Sequence, residues 1–208
     1  MKIGIQTEGQ SSDSIKTMAW RAFSELGLPS TIHAVDIGAG RGDLEKIILP
    51  HVGRITMVDD FPPSMQSDKI EFVKSDLNNV WNLPSKKFDF VFSLEVIEHI
   101  ENPRHFMREI YRILKPGGHG FVSTPNNLNL FSRLNFLIKG EHRYFQDSCY
   151  PAHISCLVKK DLERILEENL LKKINFFYNY EDVVPLLGIP IKIRVNNFSN
   201  SIGVLFEK

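Results

Sequence analysis

Three glycines at alternate positions, Gly38, Gly40 and Gly42, stand directly behind a run of strand-favouring residues, Ile32 to Ile37. Glycine permits positive φ and removes the Cβ that would hold a ligand away from the backbone. A helical pattern opens after Asp43 and runs from Leu44 to Leu49, so the stretch reads as strand, tight turn and helix start. Amides at a helix N-terminus favour an anionic or polar ligand group. A glycine-rich turn alone is weak evidence, because many turns carry glycine for geometry. Here the next strand, Arg54 to Val58, ends in an acid, Asp59, and that combination points to nucleotide binding.

Further polar residues recur where strands end. Lys69 to Lys74 reads as a third strand ending at Ser75-Asp76, and Phe88 to Phe92 as a fourth leading into Ser93-Leu94-Glu95-Val96-Ile97-Glu98-His99. Pro103 to Leu114 is helical, Lys115-Pro116-Gly117-Gly118 breaks the pattern, and Gly120 to Ser123 is a fifth strand. Lys159 to Glu168 is a helix, and Leu171 to Tyr178 and Ile202 to Phe206 close the chain as two more strands. Upstream, Ser11 to Ser14 offer N-cap residues for an amphipathic helix carrying Ile15, Met18, Ala19, Ala22, Phe23 and Leu26, which Gly27 can close. Strands alternating with helices predict an α/β fold, a Rossmann-like sheet of seven mostly parallel strands with helices on both faces. In such sheets ligands sit beyond the carboxyl ends of the strands, which gathers the scattered polar residues into one crevice.

A chain of 208 residues is expected to be one domain with a substantial core. Lys plus Arg and Asp plus Glu stand at 25 each, which argues against a large nucleic-acid footprint without excluding a local basic patch. Met1 to Ser14 has no apolar run and is not a signal peptide, and Val183 to Ile193 is too short and too broken by proline to span a bilayer. Cys149 and Cys156 make neither a disulfide framework nor a zinc pattern, and are expected to be buried or indifferent thiols. The expected location is the reducing cytoplasm.

The ordered run resembles the class I S-adenosylmethionine-dependent methyltransferases. Asp36-x-Gly38-x-Gly40-x-Gly42 is similar to their first motif, Val58-Asp59 to their acidic strand end, and Ser75-Asp76-Leu77 to their adenine motif. Phe88 to Val91 with Leu94 to His99 is similar to their fourth-strand motif, and Leu114 to Gly118 to the turn before their fifth strand. The likeness covers roughly residues 30 to 175 and is closest to the small-molecule branch that includes ubiquinone-biosynthesis O-methyltransferases and enzymes of surface-polysaccharide clusters. It implies S-adenosylmethionine as cofactor, a small-molecule acceptor with a hydroxyl oxygen, no nucleic-acid partner, and a single methyltransferase domain over 1–208. Within it, 1–30 would form a cap helix, and 125–155 and 181–201 would be acceptor-side insertions.

The resemblance also assigns roles. Asp59 would accept from two ribose hydroxyls, with Asp60 as a rival. Asp76 would accept from the adenine amino group while Leu77 reads the ring edge, unless Asp76 is a turn aspartate. Asp36 and the backbone near Ser93 would meet the cofactor's ammonium, or Asp36 only braces the turn. Glu95, Glu98 and His99 at i, i+3 and i+4 would share a helix face. Some members of the branch use a divalent cation, so Mg²⁺ on the two glutamates is conceivable, but the preferred reading is no metal.

Methyl transfer from a sulfonium needs mainly in-line placement of the acceptor, and a hydroxyl acceptor also needs a base. Of the seven histidines, His33, His51, His105 and His119 fall on elements that point away from the crevice. His99, His142 and His153 remain, and Pro151-Ala152-His153 resembles the family's histidine before the next helix, which favours His153. Between them, Leu128 to Phe145 carries an apolar stripe, Leu130, Leu134, Leu137 and Ile138, with Arg133, Lys139 and Arg143. It reads either as a mobile cover favouring an acidic substrate or as a helix packed on the core.

Three other functions compete. A nicotinamide-dependent oxidoreductase would show G-x-G-x-x-G, where this chain has Asp43 last. A nucleic-acid or protein methyltransferase would want a different fourth-strand signature, or a basic appendage for nucleic acid. A non-catalytic cofactor-binding subunit would keep the same motifs.

Overall fold

The computed structural model describes residues 11–183, 188–191 and 194–208. Its core is a seven-stranded sheet ordered β3-β2-β1-β4-β5-β9-β6. The strands are β1 His33–Ile37, β2 Arg54–Asp59, β3 Ile70–Lys74, β4 Phe88–Leu94, β5 Leu114–Pro125, β6 Lys172–Tyr178 and β9 Ser201–Glu207. Only β9 runs antiparallel to its neighbours, β5 and β6, so the sheet is mostly parallel. A separate ribbon pairs β7, Asp182–Val183, with β8, Pro190–Ile191. The rest of the expected 181–201 insertion lies partly outside the described residues, as do positions 1–10 of the expected cap.

Apolar side chains cover both faces. On one face α1, Asp13–Ser24, buries Ile15, Met18, Ala19, Ala22 and Phe23 against Phe90 and Phe92 of β4. On the other, α3, Pro103–Ile113, sets Phe106, Ile110 and Ile113, and α5, Lys159–Glu168, sets Leu162 and Ile165, against Val35, Val91 and Val122. Strands buried on both sides must be continuously apolar, which is what β4 and β1 are. The Ser12 side chain accepts from Ile15 N at 3.4 Å to cap α1, and Asn102 caps α3 with Pro103 in its first turn.

Two local expectations change. The helix after the glycine turn is one turn of α-helix, α2 Glu45–Ile48, followed by a 3₁₀ turn through Pro50. So short a helix has little dipole, and the turn's own amides must serve the ligand instead. Lys115 to Gly118 does not precede the fifth strand but bulges within it: Leu114 pairs with Phe88 and His119 with Phe90, and Lys115 Nζ bonds Asp89 Oδ1 at 2.6 Å. Among the described residues no helix is long and apolar enough to cross a membrane. Cys156 is exposed and Cys149 partly so, so neither is a buried thiol.

Candidate functional site

The chain fills β1, β2 and β3 to one side and then returns to place β4 on the other side of β1. That reversal opens a crevice at the strands' carboxyl ends. A cleft of about 1270 Å³ lies there, with Gly38, Gly40, Asp59, Asp76, Leu77 and His153 among its lining.

The three glycines adopt φ of +79°, +55° and +93°. Gly38 N donates to Val58 O at 2.8 Å, and Gly40 N donates to Asp59 Oδ2 at 2.9 Å. The other oxygen of Asp59 accepts from Asp60 N at 2.7 Å and Phe61 N at 3.3 Å. The acid at the end of β2 therefore stitches that strand end to the glycine turn, and both face the cleft. Asp76 does the same for the next strand end: Oδ1 accepts from Asn78 N and Oδ2 from Asn79 Nδ2, each at 2.9 Å. The turn use of Asp76 is thus realised, and carboxylate oxygens keep a second lone pair for a ligand.

Asp36 does not line the cleft; it is 3% exposed behind the turn, against Glu45 of α2. Burial, then the Glu45 charge, raises the Asp36 carboxyl well above the usual range, and burial pushes Glu45 up to about 7. That shift favours the uncharged form of Asp36, which braces the turn beside Glu45 and is not part of the cleft lining. Burial also raises Glu95 to about 7 and Glu98 well above the ordinary value. Raised carboxyl pKa values mean that the native state binds more protons than the unfolded chain, so stability falls as pH rises. The contribution is complete below about pH 4, near the unfolded values, and is lost as pH climbs through about 7. Glu45→Gln should therefore be more stable than the parent by about 1–3 kcal/mol near pH 8 and by little near pH 5. Urea unfolding at the two pH values checks this, and a gain equal at both would contradict it.

Glu95, Glu98 and His99 do not share a helix face. Glu95 follows the last residue of β4 with φ of +55°, and only Ile97–His99 form a 3₁₀ turn. The left-handed backbone turns Glu95 towards β5 and β9, where Ser123 Oγ donates to Oε1 at 2.8 Å and Ser201 Oγ to Oε2 at 3.2 Å. Glu98 is buried, takes Thr124 Oγ1 on Oε2 at 3.1 Å, and leaves Oε1 without a partner.

His99 instead meets His153, with ring centroids 4.8 Å apart. Each ring bonds a backbone carbonyl through Nδ1: His99 to Ala152 O at 2.7 Å, His153 to Tyr144 O at 2.6 Å. A carbonyl only accepts, so Nδ1 carries the hydrogen in both, and Nε2 of each neutral ring keeps a lone pair. Burial, reinforced by the neighbouring His153, lowers the His99 pKa despite the opposing bond to Ala152.

Ligand atoms of Glu98, His99 and His153 lie within 4.8 Å of one another. Mg²⁺ demands oxygens, whereas one carboxylate and two imidazoles suit a softer first-row ion. The set does not fit magnesium, and no step below uses a metal.

Gly42, Ser93 and His142 also lie off the cleft lining. A Cβ on Gly42 would meet Met65 and Met57 behind the turn, and Ser93 is fully buried. His142 stacks on Phe136 and pairs with Ser132 at 3.2 Å. From Leu128 to Phe145 only Tyr144 is among the residues that line the cleft. Residues outside the sequence motifs complete the wall, notably Tyr144, Tyr150, Ile154 and Asn200. Their only sequence signal is the aromatic and asparagine content of the stretches after β5 and before β9.

A family model described as a methyltransferase domain matches residues 13–174. The ubiquinone biosynthesis O-methyltransferase, mitochondrial, of Dictyostelium discoideum is 33% identical over 108 residues, covering 51% of this chain and 33% of that protein. The ubiquinone biosynthesis O-methyltransferase of Coxiella burnetii is 27% identical over 132 residues, covering 55% of this chain and 56% of that protein. The match thus spans a third to just over half of these relatives' length. Among solved structures, a SAM-dependent methyltransferase from Archaeoglobus fulgidus superposes with a TM-score of 0.62 at 19% identity, over 93% of this chain and 94% of that one. At that identity the likeness speaks for the Rossmann-like fold.

Proposed function

This chain belongs to the methyltransferase-domain family, and we propose that it binds S-adenosylmethionine and moves its methyl group to a hydroxyl oxygen of a small molecule. The single domain is taken as 1–208. The observation that carries the cofactor is the charge of the cleft. Asp59, Asp60, Asp76 and Glu101 line it, and Arg41 is its only lysine or arginine among the described residues. Such a wall suits a ligand with a sulfonium and an ammonium. It opposes the pyrophosphate of a nicotinamide dinucleotide and the phosphates of nucleic acid.

Asp59 would take the ribose hydroxyls, Asp76 and Leu77 the adenine, and the amides of the glycine turn the rest of the cofactor. An oxygen acceptor is favoured by the histidine pair and by the likeness to O-methyltransferases. Tyr144, Tyr150 and Ile154 offer its carbon body an apolar wall. In the reaction, His153 Nε2 takes the hydroxyl proton and the oxygen lone pair bonds the methyl carbon. Bound S-adenosylmethionine would supply the methyl as an electrophile, its sulfur leaving with the carbon–sulfur electron pair as a neutral thioether. Positive charge disappears from sulfur, so the catalytic demand is placement and one proton transfer.

Titration calorimetry tests the cofactor. S-adenosylhomocysteine should bind and NAD should not. Asp59→Ala should weaken that binding about 10- to 150-fold, the worth of a hydrogen bond to a charged group. Unchanged affinity in a folded Asp59→Ala protein would remove Asp59 from the site.

A further inference from the structure

Asp36, near the end of β1, and Glu45, the first residue of α2, stand on the two elements that the glycine turn joins. Their carboxyls are in hydrogen-bond contact behind that turn, at 3% and 0% exposure. No donor reaches Asp36 Oδ1 or either oxygen of Glu45. A carboxylate only accepts, so two ionised carboxyls here would leave buried acceptors empty and set two like charges together. A proton held between them relieves both faults, because a protonated carboxyl donates to its neighbour. Among the described residues no cation acts on the pair in its place. The other charges that act on it are acids, Asp59 at the end of β2 on Asp36 and Asp43 of the turn on Glu45. The cations on this side, Lys46, Lys16 and Arg41, act on Asp43, which Lys46 Nζ bonds at 2.6 Å.

We propose that Asp36 and Glu45 form a clasp across the glycine turn, shut while they share a proton and open when both are ionised. One carboxyl sits at each end of the connection, so their contact fixes α2 against β1 and sets the loop between them. That loop holds Gly38 N on Val58 O and Gly40 N on Asp59 Oδ2. Its three glycines, all at positive φ, give way readily when the ends are pushed apart. Two unpaired buried carboxylates would push them apart with little screening from solvent. Burial raises both groups, Asp36 well above the usual range and Glu45 to about 7. In a coupled pair the second proton leaves at a higher pH than the first. The clasp is therefore shut at neutral pH and opens on the alkaline side. A turn set by the clasp is the form that meets the cleft's ligand, so ligand binding should favour the shared proton and weaken as it is lost. That consequence rests on the cofactor reading, whereas the clasp does not.

Glu45→Gln tests it, because the amide N–H of glutamine takes the proton's place towards Asp36 at every pH. Asp36→Asn makes the same exchange from the other side and serves if the first variant folds poorly. Trypsin gives a reading that needs no ligand. Arg41 stands exposed in the turn, so opening of the clasp should speed cleavage after Arg41. Between pH 7 and pH 9 the ratio of the wild-type rate to the Glu45→Gln rate should rise about tenfold, the weight of one pKa unit. Titration calorimetry with S-adenosylhomocysteine should show wild-type affinity falling about tenfold relative to Glu45→Gln over the same range. The comparison cancels the titration of the ligand's own ammonium and of the histidines. A cleavage ratio that stays constant overturns the clasp, whatever the ligand does. An affinity ratio that stays constant while the cleavage ratio rises overturns the coupling to the ligand. If S-adenosylhomocysteine binds at neither pH and the cleavage ratio rises, the clasp stands and the cofactor reading falls.

Discussion

Replacing His153 with alanine is expected to lower kcat about 10²- to 10⁴-fold, the usual worth of a general base, with cofactor affinity nearly unchanged. The separation of effects follows from position. His153 lines the cleft but lies beyond β5, on a segment apart from the glycine turn and the Asp59 strand end. Its Nδ1–H is spent on Tyr144 O, which fixes the ring and leaves Nε2 as the nitrogen that, in the proposed reaction, would take the acceptor's proton. Burial, reinforced by His153, lowers the pKa of its neighbour His99. A lowered histidine pKa widens the range in which the His99 ring is neutral. The wild-type rate should fall on the acid side as the base protonates, and the acidic limb should vanish in His153→Ala. Near-normal turnover would exclude His153 as the base. Activity lost to a chelator and restored by a divalent ion, with the ion absent from the purified variant, would make His153 a ligand rather than a base.

Gly38→Ala is expected to reduce S-adenosylhomocysteine affinity by more than about 100-fold and to destabilise the fold by about 2–4 kcal/mol. Two penalties coincide at this position. The backbone sits at φ of +79°, which costs an L-residue about 1–2 kcal/mol. An added Cβ would also stand 2.4 Å from Val96 Cγ2 and 3.2 Å from Cγ1. Val96 is 8% exposed, packed in the core cluster behind and open only to the cleft in front, so it must move into the space the ligand needs. Gly117→Ala separates the two causes. It has φ of +73° with nothing within 4 Å of the new Cβ, so it should cost only the backbone term and leave ligand affinity intact. Wild-type affinity in Gly38→Ala would remove the glycine turn from the binding site.

The sequence by itself determined the sheet, its mostly parallel sense, the two covered faces and the identity of the turn that lines the cleft. These follow from properties carried by a few neighbouring residues: continuous apolar runs mark strands buried on both sides, and a glycine marks a positive φ. An acid at a strand end is carried to the crevice whatever its side chain does, because topology puts every such end there, and so Asp59 and Asp76 were legible.

Tertiary structure decided where side chains pointed. Glu95, Glu98 and His99 have helical spacing, yet a single left-handed residue at Glu95 breaks the common face and sends its carboxyl to Ser123 and Ser201. Asp36 at the end of β1 and Glu45 at the start of α2 lie nine positions apart and meet in the buried space between the two elements, which no local period encodes. His99 takes its hydrogen-bond acceptor from a residue 53 positions away, a pairing no local pattern encodes. The apolar stripe on α4, Leu130–Lys139, has the period of a core helix, but period reports which residues share a face and not what lies opposite it. With Ser132 turned inward and the core already filled from β1, β4, α1 and α3, Leu137 and Ile138 were left at the surface.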